Sequence, residues 1–516
     1  MEAYAQAVEK PFSEAREKFE EIVTHMQTPV ALRMRHEDLE RYVSQQGLEL
    51  QRRLLQDHLD VRAAAEQRVA VVGNDGVSRT GVRSSQRRLM SIVGGVLVSR
   101  LMYQASGVDS RCPQDAALNL PPEVFSLGVR RRVAEEVAAN SFEHAIERIE
   151  STTGAHIAKR QAEELARSAA VDFDAFYAQC PQNEIAQEDG LLLVLSFDGA
   201  GITMLREDLR DATRRAAEKQ AEDPRWPPKR MKRGQRRNRK RMAEVAAVYA
   251  IEPYIRTPDD IVRELRPVED VEKKKRRPKP IHKRVWASVE REAKDVIEEA
   301  FREANLRDPN HKRRWIVLVD GQETQLSLVW DAAARMGVEV TVVLDLIHVL
   351  EYLWKAAYCF HSAGTREAQE WVDKRLAMLL SGTSASDVAA GMTRSATLQE
   401  LDNRTAVDEC ANYLCKNREL LTYAEALAAG LPIATGVIEG ACRYLVRDRM
   451  DKTGARWSLL GAEAVLKLRA LRTNGDFDEY WRFHVEAEYS RNHAMRYRHA
   501  DVPNPLPKRP ALRVVK

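Results

Sequence analysis

The segment LLLVLSFDG, residues 191–199, is an apolar run closed by Asp198-Gly199, and RRWIVLVDG, residues 313–321, repeats the pattern with Asp320-Gly321. Short continuous apolar runs suit strands covered on both faces. They predict an α/β core, a central sheet flanked by helices. In open sheets of this kind the chemistry gathers at the carboxyl ends of the strands, and both carboxylates are expected there. A single Asp-Gly turn says little, because both residues are common in turns. Two matching ends define a candidate carboxylate site.

A third acid lies in ATGVIEGACRYLVRDRM, residues 434–450, where Glu439 follows Thr435-Gly436 near the start of an expected helix. Arg443 and Arg447 come four and eight residues later, the spacing of one helical face. Alone, Glu439 and Arg443 read as an ordinary ion pair. Beside two strand-end aspartates, Glu439 completes a trio able to hold two divalent ions about 4 Å apart. Oxygen ligands select Mg²⁺ or Mn²⁺ over zinc, and the arginines would face phosphate groups. Asp448 and Asp451 are rival third acids, but Arg447, Arg449 and Lys452 beside them make ion pairing the better account. Arg456-Trp457 is an accessory candidate, an arginine beside an aromatic that could stack on a base, although the core is the expected place for Trp457.

With 516 residues the chain has room for about three domains at roughly 150 residues each. Apolar residues make up 44% and charged residues 31%, the balance of a globular chain. No apolar run approaches the ~18 residues of a membrane span, and the N-terminus has no secretory pattern. Six scattered cysteines without CxxC spacing fit a reducing compartment. A cytoplasmic protein without membrane partners is expected. There is no GxxxxGK phosphate loop, so no nucleotide cofactor is implied.

The net charge is only +4, from 81 basic and 77 acidic residues, but the charge is local. In RWPPKRMKRGQRRNRKR, residues 225–241, ten of 17 positions are basic: Arg225, Lys229, Arg230, Lys232, Arg233, Arg236, Arg237, Arg239, Lys240 and Arg241. A second cluster, KKKRRPKPIHKR, spans 273–284, and the apolar stretch 245–255 between the two reads as a strand. A charge run is usually a solvated segment. Two dense runs around one strand point to nucleic-acid phosphates, whose neutralisation releases counterions. Trp226, within the first run, is a candidate stacking residue.

Residues 1–68 read as helical. Within 69–122, LMSIV and VLVSRLMY flank Gly94-Gly95 as a β-hairpin carrying Arg83, Arg87, Arg88 and Arg100. Within 123–180, two helices around Thr152-Thr153-Gly154 resemble a helix-turn-helix, with Lys159, Arg160 and Arg167 on the second helix; a plain helical hairpin fits equally well. Residues 348–432 read as almost wholly helical, and the Pro-rich tail as loose.

Four segments, VLSFDGAG (194–201), IVLVDG (316–321), VVLDLIHVLEYLW (342–354) and GVIEGACRYLVRDRMDKTGARWSLLGAEAVLKLRALRTNGDFDEYW (436–481), resemble the ISKra-type DDE transposases of bacterial insertion sequences. The last is long and specific, and the resemblance runs from about 87 to 485. It implies a ribonuclease H-like core whose first strand ends at Asp198 and whose fourth ends at Asp320, with Glu439 on a later helix beyond a helical insertion. The implied organisation is a core over 186–347 with a basic insert at 214–284, the insertion at 348–432 and core helices at 433–490; the tail, 491–516, is read as loose from its composition. Asp198, Asp320 and Glu439 would be catalytic and would bind two Mg²⁺ or Mn²⁺ ions. Asp345 and His348 match an acid-x-x-His motif of similar transposases; capping and packing in the following helix are the plainer account. Gln322-Glu323 departs from the pattern after the second acid. The implied partners are double-stranded DNA, as element inverted repeats and as target, and a second copy of the chain in a dimer, in a bacterial, nucleoid-associated setting. Two other functions keep the same acids: a nuclease that cuts without joining, and a non-catalytic DNA-binding protein derived from a transposase.

Overall fold

The structure, a computed structural model, describes residues 11–179, 190–222, 237–265, 277–452 and 454–506. It divides into two compact units: Met1–Ala178 with Gly475–Lys516, and Gln179–Asn474.

In the first unit, helices Ser13–Met26 and His36–Ala65 precede an antiparallel sheet of β1 (Gly81–Ser91), β2 (Gly94–Ala105) and β3 (Val108–Arg111). The long helix docks on β2 through Gln56, whose amide donates to the Leu97 carbonyl at 3.0 Å and accepts from the Leu97 N–H at 2.8 Å. Leu59 from the helix joins Leu89, Val96 and Val98 from the strands in one buried cluster. The hairpin differs from expectation in its turn. Ser91 pairs with Gly94, so Ile92 and Val93 form the turn and both glycines belong to the strand. Nor is its charge all free for DNA. Arg100 is buried against Asp115 at 2.7 Å, and Arg87 donates to the carbonyls of Pro121 and Glu123.

After the short helix Pro113–Ala117 come Leu127–Ala139, Phe142–Thr152, Lys159–Ala169 and Phe173–Gln179; Ser126 and Ser141 cap Leu127–Ala139 and Phe142–Thr152. Six residues, 153–158, separate Phe142–Thr152 from Lys159–Ala169. Of the three cations expected on the recognition helix, Lys159 pairs with Glu143 and Arg160 with Glu164, while Arg167 is exposed. Helix Phe477–Asn492 belongs to this unit and not to the acid-bearing core. Its Tyr480 hydroxyl donates to the Ala169 carbonyl, and His484, Glu488 and Arg491 join Arg130 and Asp172 in a buried polar network. The segment beyond it is not loose over its described part. Tyr497 is buried, the Arg498 N–H donates to the Val72 carbonyl, and the Pro505 carbonyl accepts from Gln67.

The second unit is a mixed five-stranded sheet. In chain order its strands are β4 (Leu192–Thr203), β5 (Lys240–Ile251), β6 (Ile281–Ser288), β7 (Trp315–Val319) and β8 (Val340–Leu344), and across the sheet they run β6-β5-β4-β7-β8. The first three are antiparallel neighbours, whereas β7 and β8 are parallel to β4. The apolar runs are the buried strands that their composition demands: Leu193 to Leu195 and Ile316 to Val319 have no exposed surface. Helix Ala293–Arg307 packs on β4 and β5, and Leu459–Asn474 on β6. After β8, helices Leu346–Phe360, Arg366–Leu380, Ala385–Leu398, Thr405–Lys416 and Tyr423–Ala428 form the insertion.

Two boundaries depart from the sequence expectation. Strand β5 starts at Lys240, inside the basic run. The last residues of the second basic cluster form β6, where Arg284 is a core residue that pairs with Glu299 and Glu303 and lies over Trp286. Basic character masked strand pattern in both places. No helix among the described residues is long and apolar enough to cross a membrane.

Candidate active site

Asp198 and Asp320 lie on the neighbouring strands β4 and β7, whose parallel register pairs Ser196 with Leu318. Asp320 follows the last residue of β7, as expected. Asp198 does not end its strand: β4 runs five residues further, because it continues as a long hairpin with β5 after β7 has stopped. Within the strand Asp198 accepts from the Gly199 N–H at 2.6 Å, whereas Asp320 closes a turn by accepting from the Gln322 N–H at 2.9 Å. Gly321 is required on two counts. Its φ is +86°, and a Cβ there would lie 2.7 Å from the Asn417 side-chain oxygen and 2.9 Å from Leu344.

The helical insertion fixes the strand ends from above. The Tyr413 hydroxyl donates to the Asp320 carbonyl at 2.8 Å, and the Tyr423 hydroxyl to the Leu344 carbonyl at 3.0 Å. The Gln322-Glu323 pair opens helix Glu323–Met336, and Glu323 pairs with Lys416 at 2.9 Å.

Glu439 sits in the first turn of the short helix Gly436–Ala441, which packs on β4 and β5. That helix is tied at both ends. At its start, Asp345 accepts from the Thr435 N–H at 2.9 Å and from its hydroxyl at 2.5 Å. At its end, the Cys442 thiol donates to Asp198 at 3.2 Å. Asp345 is fully buried and also caps helix Leu346–Phe360 through the Ile347 N–H. His348 meets Asp345 at 2.9 Å, so the acid-x-x-His pair both caps a helix and anchors the Glu439 helix.

The continuation of that helix is not α-helical. Cys442–Arg447 is a π-helical turn, so the even stripe expected of Glu439, Arg443 and Arg447 is broken. Such turns widen the helix locally and recur at functional sites. Here the turn puts Cys442 against Asp198. Arg443 and Arg447 are both exposed; Arg443 stays 3.7 Å from Asp448, and Asp451 pairs with Lys240 at 2.9 Å. Ion pairing thus accounts for both rival acids.

The electrostatics are those of crowded carboxylates. Burial raises the Asp198 carboxyl above its ordinary range, and Asp320 adds to the rise. Partial burial and the neighbouring Asp345 raise Glu439. The Asp345 hydrogen bond raises His348 to about 9, so an imidazolium faces the acids at neutral pH. A fourth acid, Glu244, was not anticipated. It stands opposite Gly199 in the β4–β5 register, accepts from the buried Gln325 amide at 2.9 Å, and is pushed up to about 7 by burial, with Asp198 and Asp320 adding repulsion. Its signal in the sequence was a lone acid inside an apolar run. Cys442 carried no signal, because its partner is 244 positions away.

Among the described residues, one trio brings its ligand atoms within 4.8 Å of one another, the spacing of a metal site: Asp172, His484 and Glu488 in the first unit. Two guanidinium groups already occupy it. Arg130 reaches His484 at 3.1 Å and Glu488 at 2.5 Å, and Arg491 reaches Asp172 at 2.7 Å and Glu488 at 2.9 Å. A metal there would have to displace these cations. Asp198, Asp320 and Glu439 are less tightly grouped, yet their all-oxygen donor set and mutual repulsion suit hard cations better.

Of the basic run, Arg225, Trp226, Lys229, Arg230, Lys232, Arg233 and Arg236 lie outside the described residues. Arg241 is a structural cation that donates to the carbonyls of Val289 and Glu290. Arg237 and Arg239 are exposed. Trp457 is buried, as expected, with the Arg449 guanidinium 4.6 Å from its ring, while Arg456 is exposed. No family model matches the chain, and no curated protein matches it.

Proposed function

We propose that the chain is a DDE transposase that binds element ends, cuts a phosphodiester there and joins the freed 3′-OH to target DNA. The observation that carries this reading is the placement of Asp198 and Asp320 on adjacent strands, with Glu439 on a helix whose flanking residues Thr435 and Cys442 are hydrogen-bonded to Asp345 and Asp198. The strand order, with three antiparallel strands and two parallel additions, supports a ribonuclease H-like core. Asp198, Asp320 and Glu439 would hold two Mg²⁺ or Mn²⁺ ions, which supply activation of an attacking oxygen and charge relief at the leaving one. The chain's own part is to aim the three carboxylates. Cys442 and Gly199 orient Asp198, the Gly321 turn orients Asp320, and Asp345 with Thr435 sets the entry of the Glu439 helix. Arg443 and Arg447, exposed on the turn after Glu439, face the solvent from which a phosphate backbone would approach. A dimer that pairs two DNA ends belongs to the same proposal.

The test uses purified full-length protein, DNA carrying the ends that flank its gene, a supercoiled target plasmid and Mg²⁺ or Mn²⁺. Wild type should cut and join. Asp198→Asn, Asp320→Asn and Glu439→Gln should each reduce cutting by more than about a hundredfold, the several kcal/mol a metal site contributes, and leave DNA binding intact. Cutting without joining would favour a nuclease. Specific binding without cutting in either metal would favour a non-catalytic DNA-binding protein.

A further inference from the structure

Past Asp198, strand β4 enters a cavity of about 430 Å³ edged by Arg206, Arg237, Arg239 and Arg456. Backbone pairing holds two of these arginines, Arg239 and Arg456, in place. The Met204 N–H donates to the Arg239 carbonyl at 3.0 Å, the Trp457 N–H to the Thr203 carbonyl at 3.0 Å, and the Leu205 N–H to the Trp457 carbonyl at 2.8 Å. The end of β4 is thereby clamped between the residues that carry Arg239 and Arg456. Behind the clamp, the Trp457 indole donates to the Met450 carbonyl, so Arg456 projects from a rigid base.

Among the described residues, the charge around this cavity is largely uncompensated. Arg237, Arg239 and Arg456 are exposed, and among the described residues none of their side chains makes an ion pair or hydrogen bond. Arg206 comes only within 3.9 Å of Glu218, and Glu207 is the one acid among the described residues at the rim. Other exposed cations do have a carboxylate partner, as Lys159, Arg160 and Lys240 do. Unpaired guanidinium groups around a concave surface suit an anion with several oxygens, since each fork can bond two of them.

The position of the cavity says which anion. Thr203 is five residues beyond Asp198 on one continuous strand, about 17 Å at ~3.3 Å per residue. Successive phosphates of one strand of a DNA duplex rise ~3.4 Å each along the axis. A duplex following the β4–β5 hairpin with the bond to be cut at the acids would therefore lay a phosphate about five nucleotides away over these arginines. We propose that the cavity is a phosphate subsite for the DNA backbone, and that it sets which bond of the strand reaches Asp198. This rests on the DNA-cutting reading of the acid site and adds a register to it.

The experiment measures binding of the full chain to a fluorescent 40-base-pair duplex of arbitrary sequence, in chelator, across a salt series. The triple variant R237Q/R239Q/R456Q should lower the slope of log affinity against log salt by about two to three, as expected for two to three lost phosphate contacts. Arg302→Gln, an exposed arginine on helix Ala293–Arg307, should leave the slope unchanged. The single variant R456Q, compared with wild type by thermal melting, guards against a folding defect and should lower the slope by about one. In the cutting assay, uncharged methylphosphonate linkages are placed one at a time along the cleaved strand. Interference should peak four to six nucleotides from the cut and vanish in the triple variant. An unchanged slope, or interference with no peak at that distance, would overturn the subsite even if wild type cuts DNA. A lowered slope in a protein that never cuts would sink the catalytic reading and the register, and leave a DNA-backbone site.

Discussion

At the scale of single residues, Glu244 carries a sharp consequence. Its carboxyl is raised to about 7 by burial, against an ordinary value near 4.5. The folded protein therefore holds this proton more tightly than the unfolded chain. Stability contributed by the neutral form is complete below about pH 4.5 and is lost as pH rises toward 7. In chelator-containing buffer, Glu244→Gln should leave thermal stability nearly unchanged at pH 4.5 and raise it at pH 8, by up to about 3 kcal/mol for a shift of this size. Equal effects at the two pH values would show that Glu244 ionises freely. Asp345 has the opposite character. It is a buried acceptor for four donors, from Ile347, His348 and Thr435, and Asp345→Asn replaces one acceptor oxygen by a donor. A loss of about 1–3 kcal/mol in denaturant unfolding is expected from the donors left without a partner. A variant as stable as wild type would remove Asp345 as the anchor of the Glu439 helix.

At the scale of elements, glycines decide more than the turn rules suggest. Gly154 marked a helix-turn-helix in the sequence, yet its backbone needs no positive φ. It is required by close approach: a Cβ there would lie 2.7 Å from the carbonyl of Val93 and 2.8 Å from the nitrogen of Gly94, at the tip of the β1–β2 hairpin. The contact is sealed by the Gly154 N–H donating to the Ile92 carbonyl at 2.9 Å. Gly154→Ala should destabilise the protein by about 1–3 kcal/mol, the usual range for overpacking. Gly95→Ala, with nothing within 4 Å, should be nearly neutral. Equal thermal shifts in the two variants would refute the docking of the hairpin tip on that loop.

At the scale of the whole molecule, each unit is held by groups distant in sequence. In the first, Arg130 and Arg491 neutralise Asp172 and Glu488, and the His484 ring bridges Asp172 and Arg130. Removing one partner of a buried ionic network costs about 3–5 kcal/mol, because the remaining charge has no counterpart. Arg130→Met should produce a loss of that order, measured by denaturant unfolding. If the trio bound a metal in place of the arginines, chelation would destabilise wild type; with the arginines in place it should not. In the second unit, β4 and β7 are separated in sequence by β5, β6 and the helices Asp211–Ala221, Pro258–Leu265 and Ala293–Arg307, and only the sheet makes Asp198 and Asp320 neighbours.

The central sheet was legible because buried strands need unbroken apolar residues, and Leu191–Phe197 and Trp315–Val319 have little else. The wholly helical stretch after β8 was legible too, through helical periodicity. The basic segments misled, because composition cannot separate an arginine that solvates a loop from one, like Arg241 or Arg284, that satisfies buried carbonyls or carboxylates. The extent of β4 beyond Asp198, the π-turn at Cys442–Arg447, the contact of Cys442 with Asp198 and the arrival of Glu244 beside the acids were decided only by tertiary structure. Each depends on which backbone runs alongside which, and a carboxylate's neighbours across a sheet leave no periodic trace along the chain.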